Sequence, residues 1–502
     1  MKFPNFKKKE TKKKEENFDA LLLEVDFFCQ LAYMAAIATS GISRSGMFYQ
    51  AARLPYSATR YFRRVDFVAK MFNHDYSQAC RIVGEKTKDP AIKAFLLRFS
   101  GALSSGEDIT GFLSRESAIV SETYGNSYER RLDLVKKWAD GYVALMLVPA
   151  LISVMGVVTL MLGVVSVTFL ASMIVLSIVA SIVGSWFLYR TSPREVKNHS
   201  FPIRSKEQEL ARSLAKLLIP IAVIAVMLLF VMKVDLGLML IVAGAFILPV
   251  GLLAMSDDRK VTKRDSDIAS FLRSVGGTMQ AIGATAAEAI SRLDFRSLGI
   301  LKDDVSLLHT RLVAGISAYA CWRSFVEETG SELINRSVTT FWDGITLGGE
   351  PQEVGHEASA FALKVSLLRA QRSQISAGFT WLTIAMHSVL SLLIMFVYSV
   401  FVSFTEIIER LMPSEGATQS NIPVSIPSFG LFGQDPALLD LFYVFIIIVV
   451  FVMIIANSFS IHAVSGGHPM KLVFYLALTG SISGIVILVV PSLVDMLFKS
   501  MW

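Results

Sequence analysis

Histidine and cysteine are the residue types that most readily ligate metals or move protons near neutral pH. The 502-residue chain holds seven of the first and three of the second. Cys29, Cys80 and Cys321 stand far apart and match no CxxC or zinc spacing. An odd, scattered set reads as buried thiols in a reducing compartment rather than as a disulfide framework. His462 and His468 lie six apart beside Gly466-Gly467; two metal ligands would fit, but an ordinary polar turn describes the stretch better. His387 sits in the middle of the apolar run 377–402. There it is either a proton relay or a neutral imidazole hydrogen-bonded inside a helix bundle, and the second reading is preferred. The dipeptide Gly-Lys never occurs, so a P-loop is excluded, and HExxH, GxSxG and a GxGxxG before a strand are absent too. No catalytic, cofactor-binding or metal-binding residues are assigned, and the protein is expected not to be an enzyme.

The elements that must carry these residues follow from composition. Apolar residues make up 53% and charged residues 18%, against about 45–50% and about 25% in soluble domains. The excess lies in 141–255 and 377–495, while 1–140 and 256–376 have ordinary globular composition. A bilayer core takes about 20 apolar residues per helix. Residues 141–189 then hold two spans turning near Val165–Thr168, 213–232 and 236–255 a hairpin broken at Lys233-Val234-Asp235, and 377–402, 438–456 and 470–495 three more. That predicts seven spans.

Residues 1–17 carry seven Lys and no apolar stretch, so no signal peptide is read and the N-terminus is expected to stay in the cytoplasm as a disordered basic tail. With that end inside, 190–212, 256–376 and 457–470 fall inside, and the short turns, 403–437 and the C-terminal end fall outside. Of 48 Lys and Arg, only Lys233, Arg410 and Lys499 are then external, which leaves 45 inside. The same outer segments carry Asp235, Glu406, Glu409, Glu415, Asp435, Asp440 and Asp495. This is the positive-inside pattern, so the net charge of +6 records topology and nucleic acid is excluded as a partner. Ionisable residues are nearly absent within the spans, and Lys216 is close enough to an end to snorkel. A carrier buries such groups along its path, which argues against secondary transport. Pro149, Pro220, Pro249 and Pro491 lie within spans as candidate kinks, and Gly156-x6-Gly163 and Gly237-x6-Gly244 offer close-packing faces.

The remaining segments, 18–140 and 256–376, read as two all-α bundles of five or six short helices each. Phe18, Leu21, Leu22, Val25 and Phe28, then Ile92, Phe95, Leu96, Phe99 and Leu103, recur at helical spacing in the first. Ile268, Phe271, Leu272, Val275 and Met279, then Leu307, Leu308, Leu312, Val313 and Ile316, do so in the second. Between them runs a weak repeat at an offset of 243: Phe28 matches Phe271, and Phe99-x3-Leu103-x2-Gly106-Glu107 matches Trp342-x3-Thr346-x2-Gly349-Glu350. Each copy precedes an apolar block, which makes the whole an all-α, polytopic membrane protein with two repeated cytoplasmic bundles. The order is a tail (1–17), a bundle (18–140), four spans (141–255, cytoplasmic loop 190–212), a bundle (256–376) and three spans (377–502, external loop 403–437).

A duplicated helical module with a Gly-Glu turn in each copy resembles the inner-membrane platform proteins of type II secretion and type IV pilus machines. RLDFRSLGILKDDVSLLHTRLVAGI (292–316) and SQISAGFTWLTIAMHSVL (373–390) are similar to the archaeal branch that builds the archaellum. That resemblance implies a non-enzymatic platform in the cell membrane, C-terminus outside, which sits as a homodimer under a filament. Such a platform engages a hexameric secretion ATPase on the cytoplasmic side and passes its motion to pilin-like subunits. Candidate docking residues are Glu107 and Asp108, Glu350 and Glu353, and the cluster Asp257, Asp258, Arg259, Lys260, Lys263 and Arg264. For the Gly-Glu turns the alternative is a helix cap; for 257–264 and the N-terminal lysines it is contact with anionic lipid. Loop 403–437 would touch filament subunits or simply connect two spans. Two other functions stay open at this point: the platform of an adhesive pilus, and a permease subunit driven by a separate ATPase.

Overall fold

The computed structural model describes residues 6–161, 167–202, 205–411 and 436–501. Among them regular structure is helical throughout, apart from an isolated antiparallel bridge between Asn198 and Ser331. Helix α1 (Phe6–Ala38) takes in most of the lysine-rich stretch expected to be a tail. Lys and Glu are good helix formers, and a helix nucleated downstream extends through them readily. The first bundle continues with α2 (Arg44–Ala51), α3 (Thr59–Met71), α4 (Tyr76–Lys86), α5 (Pro90–Ser105) and the long α6 (Ile109–Met161). After α7 (Val167–Thr191) and α8 (Lys206–Val231), α9 (Leu236–Ile282) leads into the second bundle. That bundle holds α10 (Ala286–Ser291), a 3-10 turn (Phe295–Leu301), α11 (Lys302–Val313), α12 (Ala318–Thr329), α13 (Glu332–Thr346) and α14 (Pro351–Leu411). Helices α15 (Pro436–Ser465) and α16 (Lys471–Met501) complete the fold.

The helix boundaries repeat, and the residues that set them repeat with them. Left-handed backbone, which favours glycine and tolerates asparagine, occurs at Gly41 and Gly283, at Asn73 and Gly315, and at Gly106 and Gly348, each pair 242 apart. Side-chain caps recur at the same interval: the Asp89 carboxylate accepts from Ala91 and Ile92 N–H at the start of α5, and the Ser331 hydroxyl accepts from Leu333 and Ile334 N–H at the start of α13. The structural register from Gly41 onward is therefore 242, one less than the offset of 243 drawn from the Gly-Glu pairs. Gly106 corresponds to Gly348 and Asp108 to Glu350. A run of two glycines, Gly348-Gly349, hides which of them takes the left-handed position.

The chain divides into two compact units. The first comprises Met1–Arg131, Pro193–Lys206 and Asp257–Gln371. Both bundles thus belong to one unit, together with the segment between α7 and α8. Its first core gathers Leu23, Leu31, Phe48, Phe62, Phe95 and Phe99; its second gathers Ile268, Phe271, Trp322, Phe325 and Phe341. Leu307, Val313 and Ile316, which recur at helical spacing in the second bundle, are exposed, while Leu308 is buried. The two repeats are tied together by buried charge. Arg336 on α13 binds Asp26 on α1 at 2.7 Å and Glu332 at 3.0 Å, with its guanidinium 4.4 Å from the Tyr56 ring centroid. The segment between α7 and α8 is strapped down in turn: Glu195 accepts from Arg369 at 2.8 Å, and Lys197 binds Asp258 at 2.7 Å.

The second unit comprises Leu132–Ser192, Glu207–Ser256 and Arg372–Trp502. Among the described residues, α6, α7, α8, α9, α14, α15 and α16 hold stretches long and apolar enough to cross a membrane. Seven spans match the number expected. Pro149, Pro220, Pro249 and Pro491 lie within continuous helices α6, α8, α9 and α16. The glycine spacing on α9 builds a seam seven residues in period against α16. An added Cβ at Gly237 would stand 2.7 Å from Gly484 O, one at Gly244 would collide with Ser481, and one at Gly251 would stand 2.5 Å from Phe474 Cα. Gly163, most of loop 403–437 with its prolines, and most of the turn near Val165–Thr168 lie outside the described residues. The seam gives a direct test. Gly251→Ala would lose about 1–3 kcal/mol through overpacking, read as a lower melting temperature in detergent. Gly101→Ala, on α5 with no neighbour within 4 Å of the new Cβ, would leave melting unchanged or raised.

Candidate interaction surfaces

Glycine 106 ends α5 in the left-handed conformation, with its N–H on Ala102 O. Asp108 then caps α6, accepting from Thr110 N–H at 3.2 Å and Gly111 N–H at 2.9 Å. Glu107, exposed, pairs with Arg115. In the second repeat the Glu350 carbonyl accepts the first bond of α14, from Val354 N–H at 2.9 Å. Glu350 and Glu353 both stand exposed at that helix start, where the macrodipole favours acidic groups.

The cluster 257–264 separates by the face of α9 that each residue occupies. Asp257 is buried and accepts from the Ser205 hydroxyl at 2.9 Å. Asp258 holds Lys197, and Arg264 forks onto Asp304 at 2.8 and 3.2 Å while donating to Thr329 O. Arg259, Lys260 and Lys263 face outward. The structure thus brings Asp258 and Arg264 into internal ion pairs and leaves three cations at the surface. Sequence reasoning missed Asp265, which is fully buried between Arg369 (2.7 Å) and the Ser331 hydroxyl. Burial raises its carboxyl pKa, and Arg369 opposes that shift. A signal existed: Ala254, Asp258, Val261, Asp265, Ile268 and Leu272 form one stripe at three-and-four spacing, and two aspartates on an apolar stripe require partners.

The titratable residues flagged first find closed environments. His387 Nε2 lies 3.2 Å from Thr479 O and 2.9 Å from Ser483 Oγ, and its Nδ1 lies 3.0 Å from Asn457 Nδ2. A carbonyl only accepts, so Nε2 carries the proton and Nδ1 accepts from the Asn457 amide, whose oxygen accepts from the Tyr142 hydroxyl at 2.7 Å. The arrangement is that of a neutral imidazole joining α6, α14, α15 and α16. At the end of α15, Arg372 donates to Val464 O and Ala463 O, satisfying carbonyls that a helix terminus leaves open. His468 Nδ1 accepts from Met470 N–H within the adjoining turn. No group of three or more metal-ligating side chains occurs among the described residues. All three cysteines are buried and unpaired, and burial pushes the Cys29 thiol up to about 12.

These placements separate structural from surface charge. Arg264→Glu would strand Asp304 and lose about 3–5 kcal/mol, whereas Lys263→Glu would change stability by no more than about 0.5 kcal/mol. Thermal melting of the two variants in detergent compares them; equal melting would place Arg264 at the surface.

No family model matches the chain, and no solved structure matches it. Two curated relatives are similar to it, both named flagella accessory protein J. The protein from Methanocaldococcus jannaschii is 27% identical over 312 residues, covering 59% of this chain and 55% of that protein. The one from Methanococcus voltae is 24% identical over 326 residues, covering 62% and 58% respectively. The chain thus spans a little over half the length of the curated relatives it matches. With seven apolar helices among the described residues, the chain is a multi-pass membrane protein, and it is similar to these two flagella accessory proteins over about three fifths of its length.

Proposed function

We propose that the protein is a non-enzymatic platform for archaellum assembly, which docks a cytoplasmic secretion ATPase and couples its motion to insertion of pilin-like filament subunits. The observation that carries this reading is the similarity to two flagella accessory J proteins over about three fifths of the chain. The sequence supports it in two further ways. The chain has no P-loop of its own, so nucleotide would be hydrolysed by a partner. Forty-five of its 48 basic residues fall on one side when the N-terminus is placed in the cytoplasm. In that orientation the two-bundle unit faces the cytoplasm with surface enough for a standard protein interface, and the C-terminus lies outside.

Within this proposal the exposed residues divide by partner. Glu350 and Glu353, together with Glu107, present acidic groups to the motor. Arg259, Lys260 and Lys263 meet anionic headgroups, at about 1 kcal/mol per basic residue near the surface. A homodimer supplies two such faces to a symmetric motor.

The chain, tagged and solubilised from its native membrane, is expected to recover the hexameric ATPase. Recovery of none would remove the platform reading, and substrate-driven flux in proteoliposomes would replace it with transport. Glu350→Lys combined with Glu353→Lys would weaken ATPase binding about tenfold at low salt. The difference would fade as ionic strength rises, because exposed charges are screened. Binding unchanged at low salt would show these glutamates to be helix-end residues only.

A further inference from the structure

The two repeats differ at one place in a way that has consequences for binding. In the first repeat α4 and α5 pack closely through small residues. The Ser77 hydroxyl donates to Ser100 O at 3.0 Å, and the Ser100 hydroxyl donates to Ser77 O at 2.8 Å. A Cβ at Gly84 would stand 3.2 Å from Leu96 Cβ. At the register of 242, Ser77, Cys80, Gly84, Ser100 and Gly101 correspond to Tyr319, Trp322, Val326, Trp342 and Asp343. Every one of these substitutions enlarges the side chain. Those five residues line a groove of about 280 Å³ between α12 and α13, with Phe201 and Arg323 among its other walls.

We infer that this groove, built by divergence of the second repeat, is the seat on the proposed platform for an apolar side-chain anchor of the cytoplasmic motor. The inference rests on the platform reading given above. Its volume is below the roughly 300–1,000 Å³ of small-molecule sites, which suits one or two side chains of a protein segment. Its lining is rich in the residue types that dominate protein–protein hot spots, Trp, Tyr and Arg. Tyr319 is 61% exposed, and Ile316 and Val313 on the turn before it are 49% and 67% exposed, so apolar surface continues from the groove along that turn. The Trp322 ring, 2% exposed, is one of the groove's walls. The occupant is a segment that places a bulky apolar side chain in the groove and a carbonyl or carboxylate acceptor beside Arg323. Arg323, whose side chain is 51% exposed while it binds Glu327 at 3.1 Å, favours the carboxylate. Helix α13, one wall of the groove, leads directly into the turn that carries Glu350.

The test uses the full chain in nanodiscs and the purified hexameric ATPase from the same cells, with binding measured by interferometry. Tyr319→Ser with Trp342→Ser restores the first repeat's small residues, and Thr339→Trp fills the groove without removing a wall. Both variants are compared at equal melting temperature, and Thr339→Trp alone decides if the double variant fails to fold. Each is expected to weaken binding tenfold or more at every salt concentration. Phe72→Ser, at the exposed turn of the first repeat, is expected to stay within twofold. If the ATPase binds wild type and both groove variants within twofold, the groove is not the seat, although the platform reading stands. If the ATPase does not bind wild type at all, the platform reading fails and this inference with it.

Discussion

Arg336 and Arg369 are the charges on which the unit formed by the two bundles depends. Each is about one tenth exposed at the side chain and each binds two carboxylates, Asp26 and Glu332 for the first, Glu195 and Asp265 for the second. A buried ion pair contributes little over a well-packed apolar core, but removing one member leaves uncompensated charge and costs about 3–5 kcal/mol. Through Arg336 the second repeat reaches α1 of the first; through Arg369 the segment between α7 and α8 is held against α9 and α14. Three stretches far apart in sequence thereby fold as one unit. The exposed residues at the helix ends, Glu350 and Glu353 among them, are displayed on that framework.

Duplication explains the economy of this framework, and divergence explains its asymmetry. The capping and left-handed positions are shared between the copies because each helix end has the same unsatisfied backbone groups to settle. Side chains between equivalent helices are free to change. Serine and glycine keep α4 against α5, while tyrosine and tryptophan hold α12 away from α13. The two copies thus carry one closed and one open helix pair.

Much of this was legible beforehand. Long apolar runs identify the spans, because a bilayer demands length and apolarity and little else. Helical spacing identifies Phe95, Phe99, Phe271 and Leu272 as core residues, which they are. The failures have physical causes. Leu307 and Val313 face solvent because α11 buries the face that carries Val305 and Leu308, and Ile316 lies beyond the end of that helix. The repeat register slipped by one because the motif Gly-Glu is short, whereas the backbone conformation that Gly106 and Gly348 share is invisible in composition. Asp257, Asp258 and Arg264 looked like surface charge because burial of a charged residue depends on its partner, and Ser205, Lys197 and Asp304 lie 40 or more positions away. Glu350 and Glu353 stand exposed because a helix start outside the core leaves acidic side chains in solvent.

The central proposal is that this chain supports assembly of an archaellum. Deleting its gene and counting filaments by electron microscopy, with complementation by the wild-type chain, measures that most directly. The account predicts cells without archaella that regain them on complementation, with archaellin still synthesised in both. Filaments of normal number and length on the deletion strain would contradict it.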